Sequence, residues 1–105
     1  MTLSKTRTSF YRRLFVAYLI DSGRATSVPA VVEATGMPRR TAQDTLTALA
    51  ELDILCAFEQ TQGERHHIGR YVIRDWGPID AQWVAANATS LATALGYPRP
   101  DDASP

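Results

Sequence analysis

The chain has 105 residues, 45% of them hydrophobic, and its eleven basic and eleven acidic side chains leave a net charge of zero. That length supplies one hydrophobic core and not two. No run approaches the roughly 20 apolar residues that cross a bilayer, and the lone Cys56 excludes an internal disulfide. A single free thiol suits a reducing compartment. The segment after the basic opening residues is too short, and too polar at its end, for a signal peptide. The cytoplasm is therefore the expected location, with no membrane partner.

The opening residues are polar and expected to be loose. A helix is expected over residues 9–22, where Phe10, Leu14, Ala17 and Tyr18 form one apolar stripe and Tyr11, Phe15 and Leu19 a second. This arc is wider than one core-facing side needs, so the helix is either central to the fold or shared with another chain. Gly23 suits its C-terminal cap. Ser27 heads a short helix over 27–35, its hydroxyl placed to accept an unpaired first-turn N–H. Pro29 falls where no N–H is needed, and Val28, Val31 and Val32 give this helix an apolar side. Gly36 then marks a sharp turn, Met37 plugs it, and Pro38 opens a longer helix over 38–52. Within it Ala42, Leu46 and Leu49 share the inward side, extended by Ala50, whereas Arg39, Arg40, Gln43, Asp44 and Thr47 share the outward one.

After Leu52 the period changes. Residues 54–59 read as a strand, 61–64 as a turn and 67–74 as a returning strand, giving a hairpin over 54–74. Gly69 inside the second strand suggests a bulge or a close backbone approach. Trp76-Gly77-Pro78 ends the strand, and a last helix is expected over 79–95 with Asp80 in its first turn. Its stripe is Val84, Ala88, Leu91 and Leu95, with Trp83 alongside, and Gly96 stops it. Residues 97–105, rich in proline and acid, are expected to be a disordered or surface-draped tail. The whole is expected to be one domain over residues 1–96, mainly α with a β-hairpin (α+β class).

A helix, a Gly36-Met37 turn, a second helix polar on its outer side, a leucine-rich end from Leu49 to Leu55 and then a hairpin follow one another here. This order resembles the winged helix-turn-helix transcription regulators, among them small bacterial proteins of no established role. Two residues depart from that pattern: Thr45 stands where a large apolar side chain is usual, and Asp44 places a negative charge on the outer side. The resemblance implies a winged helix-turn-helix with an added C-terminal helix that binds double-stranded DNA sequence-specifically and regulates transcription. The helix from Pro38 would enter the major groove, and the hairpin tip would touch the flanking backbone.

The candidate DNA contacts are Arg39, Arg40, Thr41, Gln43, Asp44 and Thr47 on that helix, Ser27 at the head of the one before, and Arg65 and His66 at the hairpin tip. Arginine pairs bidentately with guanine and glutamine with adenine, each worth ~1–3 kcal/mol of discrimination. Basic residues gather up to Arg40 and again at Arg65, Arg70 and Arg74, while acids gather around Glu51 to Glu59 and toward the end. One basic and one acidic face can therefore coexist with zero net charge. The added helix is expected to build a homodimer interface from Tyr11, Phe15, Trp83, Val84 and Leu91, which would raise affinity through effective concentration.

Rival functions leave fewer marks. A protein–protein interaction module is favoured by the zero net charge and Asp44. A metal- or redox-responsive regulator would use Cys56, His66 and His67, but their spacing is not that of metal ligands, so no metal and no cofactor is expected. A small-molecule effector would need Trp76, Trp83, Tyr11, Phe15 and Tyr18 to line a pocket, although aromatics at helical spacing suit a core or interface. Catalysis is not expected: there is no phosphate-cradling glycine loop and no carboxylate pair on an evident cleft.

Overall fold

The structure, a computed structural model that describes residues 3–60 and 69–100, is built around its first helix, α1 (Lys5–Asp21). Leu14, Phe15, Val16 and Ala17 are buried in succession, and Leu19 and Ile20 follow. Such an arc needs neighbours on several sides, and α1 has them: it packs against α3 (Arg39–Ala48), α4 (Ala81–Ala86), α5 (Ala88–Leu95) and strand β2 (Gly69–Asp75). The helix begins earlier than the apolar pattern over 9–22 suggests. Ser4 caps it by accepting the Arg7 N–H at 3.1 Å. Lys5, Thr6 and Arg7 are exposed, so the first turn carries no apolar period to read.

Helix α2 (Val28–Thr35) crosses to α3, and α3 tightens into a 3₁₀ turn at Leu49–Leu52 instead of running on as one helix to Leu52. Val31, Met37, Ala42, Leu46, Leu49 and Ile54 carry the core through this region, whereas Ala50, expected to extend the inward side, is exposed. Thr45 sits in the core at 6% exposure because its hydroxyl donates to the Thr41 carbonyl at 2.7 Å, so no polar atom is left unpaired there.

Strands β1 (Leu55–Gln60) and β2 form a two-stranded antiparallel hairpin with a bulge between Leu55 and Cys56. Gly69, opposite Gln60, meets the second of the two expectations for it. A Cβ there would lie 2.6 Å from both the Glu59 carbonyl oxygen and the Phe58 ring, so the residue serves a close approach. Phe58 and Tyr71 pair edge-on with centroids 5.0 Å apart. The outward-pointing N–H of Tyr71 donates to the Thr26 carbonyl at 2.8 Å, which ties the hairpin to the segment leading into α2. The expected hairpin tip, with Arg65, His66 and His67, lies outside the described residues.

The expected helix over 79–95 is two helices. Asp80 caps α4 by accepting the Gln82 and Trp83 N–H groups, and the chain breaks at Asn87, whose side-chain amide donates to the Trp83 carbonyl at 2.8 Å. A side chain that competes for a helical carbonyl in this way favours a break. Both helices lie on α1 of the same chain. Phe15, Val84 and Leu91, expected at a subunit interface, are 1%, 0% and 2% exposed in the chain's own core, while Tyr11 is half-buried and Trp83 exposed. Part of the expected tail is also tied down. Tyr97 donates its N–H to the Ala92 carbonyl, packs 5.9 Å from the Phe15 ring, and accepts a bond from Arg12 Nε through its hydroxyl.

Three helices, a hairpin and C-terminal helices in this order make a winged helix. Among the described residues, no helix is long and apolar enough to cross a membrane.

Candidate nucleic-acid interface

The turn between α2 and α3 determines what α3 presents. Ser27 accepts the Ala30 N–H at 3.1 Å, so its hydroxyl is used as the cap of α2. At the other end Gly36 adopts φ 79°, the left-handed conformation that ends a helix without a Cβ penalty, and its N–H returns to the Val32 carbonyl at 2.7 Å. Thr35 then staples the turn. Its buried hydroxyl donates to the Val31 carbonyl at 2.7 Å and accepts the Met37 N–H at 3.1 Å. Met37, 4% exposed, anchors the chain just before Pro38 starts α3.

From that anchor the outward side of α3 is open. Arg39, Arg40, Gln43, Asp44 and Thr47 are all exposed, and Thr41 is half-buried. No terminal helix covers them. Whereas α1, α2 and α4 each begin with a side-chain cap, α3 has none, so no capping side chain accepts its first-turn N–H groups. Arg40 and Asp44 stand 3.9 Å apart with side chains 90% and 75% exposed, a pair too hydrated to hold either in place. Thr47 returns its hydroxyl to the Gln43 carbonyl at 3.1 Å. Arg39 makes no hydrogen bond or ion pair with the described residues.

On the hairpin, Arg74 pairs with Glu59, which also faces Arg70 across the strands. Leu55 and Phe58 are 55% and 48% exposed. Cys56 is half-buried where β1 meets α3, and burial pushes its thiol above the ordinary range. No group of three metal-ligating side chains occurs among the described residues. The aromatic residues weighed as one pocket lining diverge: Phe15 stacks in the core near Tyr18, Trp76 donates from Nε1 to Asp21, and Trp83 faces outward.

The exposed set on α3 was visible in sequence because outward positions repeat every three to four residues. Thr35 was not, since a threonine before a glycine turn reads as filler. The Tyr71–Thr26 tie was hidden too, being a bond between backbone groups.

Residues 5–95 match the family described as winged helix-turn helix. The chain is also similar to a DUF2131 family protein from Shewanella amazonensis SB2B of known crystal structure: 36% identity, a TM-score of 0.84, and 97% of each chain covered. Comparison with curated proteins finds no match.

Proposed function

The chain belongs to the winged helix-turn-helix family, and from that membership we propose that it is a non-catalytic cytoplasmic regulator of transcription, binding double-stranded DNA sequence-specifically as a homodimer. The observation that carries this function is the open outer side of α3, where Arg39, Arg40, Gln43 and Thr47 all face solvent. In the proposed complex α3 enters the major groove, Arg40 and Gln43 read bases, Arg39 and Thr47 contact base edges or phosphate, and the hairpin follows the flanking backbone. The exposed Trp83 and half-buried Tyr11 are what remains on the surface for a second copy. Two copies would read half-sites about one helical turn apart.

A salt-dependent gel shift on random duplex tests it. The full chain should bind weakly at low salt and lose affinity steeply as salt rises. Arg39→Ala with Arg40→Ala should abolish binding, since the two supply the positive charge on the outer side of α3 and binding to a random duplex comes from neutralising phosphates. A second function, a protein–protein module, draws on the exposed Leu55 and Phe58 and on Asp44 among the arginines. A folded chain indifferent to duplex at low salt would favour it.

A further inference from the structure

We propose that the flank of α3 facing α1 carries a phosphate strand of the bound duplex, with Arg12 and Arg13 of α1 as its contacts. This rests on the DNA-binding function above and goes beyond it by assigning phosphate contacts to a helix outside the helix-turn-helix. Among the described residues, a groove on each side of α3 can be compared, and the two differ in charge. The groove toward the hairpin, about 470 Å³, is lined by Gln43, Leu46, Leu55, Cys56 and Tyr71 among others, and no lining residue is acidic or basic. The groove toward α1, about 250 Å³, is lined by Arg12, Arg13, Thr41 and Asp44 among others. Arg40 lies one turn before Asp44 on the same stripe of α3. Arg13 also borders the next groove along α1, where Lys5 and Arg7 join it. Lys5, Ser9 and Arg13 are spaced four residues apart, so they share one stripe of α1.

Asp44 is therefore the single acid lining a groove with two arginines, in a chain whose charges balance as a whole. Both arginines are half-buried, which weakens screening of their charge. Arg12 gives its Nε to the Tyr97 hydroxyl at 3.3 Å and has no other partner among the described residues, and Arg13 has none there. Planar guanidinium groups kept without a carboxylate partner suit the bidentate geometry of a phosphate. On the opposite flank the uncharged lining suits apolar contact with base edges and sugars.

The salt dependence of duplex binding distinguishes the two flanks. Each neutralised phosphate contributes about 0.9 to the slope of log affinity against log salt. With the full chain and a fluorescent random-sequence duplex, Arg12→Gln with Arg13→Gln should flatten the slope by about 1.8, so raising salt from about 50 to 200 mM weakens the variant about twelvefold less than the wild type. Arg12→Lys with Arg13→Lys should restore most of the slope. Arg24→Gln, which removes a charge beside Tyr18 instead, should leave it unchanged. Circular dichroism melts check that each variant is folded. If the glutamine pair keeps the wild-type slope while Arg39→Gln alone lowers it, the α1 flank is refuted and DNA binding stands. A wild-type chain that fails to bind duplex at low salt overturns both.

Discussion

Thr35→Val removes one hydroxyl at the bend that aims α3. The side chain is 6% exposed and its oxygen accepts the Met37 N–H at 3.1 Å while donating to the Val31 carbonyl at 2.7 Å. Valine preserves the branching and nearly the volume, so the loss is polar. The larger part is the Met37 N–H, left buried without an acceptor at about 1–3 kcal/mol. Taking 2 kcal/mol as the midpoint, and about 2.1 cal/mol/K of unfolding entropy per residue over 105 residues, the melting temperature should drop by about 9 °C. Thr35→Ser keeps the hydroxyl and should lose less than half as much. Thermal and urea melts followed by circular dichroism measure both. A valine variant melting within about 2 °C of the wild type would refute the staple and leave Gly36 and Met37 alone to set the bend.

Asp44→Asn should tighten binding to random duplex about fivefold, by relieving about 1 kcal/mol of repulsion from a nearby phosphate. It should not change the melting temperature, because the Arg40–Asp44 pair is exposed; equal affinities in fluorescence anisotropy would count against α3 facing phosphate. Gly69→Ala forces a methyl to within 2.6 Å of the Glu59 carbonyl oxygen and should destabilise the chain by about 1–3 kcal/mol in a urea melt. Unchanged stability would mean the strands part there freely. Burial raises the Cys56 thiol. Above the ordinary thiol range, about 8.5, the unfolded chain thus loses its proton first and stability falls as pH rises further, whereas below that range both states are protonated and the effect vanishes. Cys56→Ser should flatten this alkaline decline in melts taken across pH, and an identical decline in both proteins would place its cause elsewhere.

Elements whose side chains repeat against a core were legible from the residues alone. The inward set Ala42, Leu46 and Leu49 was buried as expected and Ser27 capped its helix, whereas Asp80, expected within a first turn, caps a helix that starts at Ala81. Elements decided by single polar atoms were not. Ser4 extends α1 through a turn with no apolar side chain, Asn87 splits the terminal helix with one amide bond, and Thr45 enters the core by bonding its own helix. The candidate site divides similarly. The open side of α3 followed from spacing, but Arg12 and Arg13 join it only because α1 lies beside α3, a proximity that spacing cannot encode. Burial against another chain and burial against one's own leave the same apolar stripe, which is why Phe15, Val84 and Leu91 pointed to a partner and were found in the core.

Asn87 leaves helices of six and eight residues where one longer helix would have stood. Neither is long enough to persist in water unsupported, so each forms as it docks on α1. On a ribosome the opening helix therefore emerges with its apolar arc bare and waits for Val84, Leu91 and Ala92, some seventy residues downstream, before that flank is covered. Partners so distant in the chain slow folding and prolong exposure to aggregation.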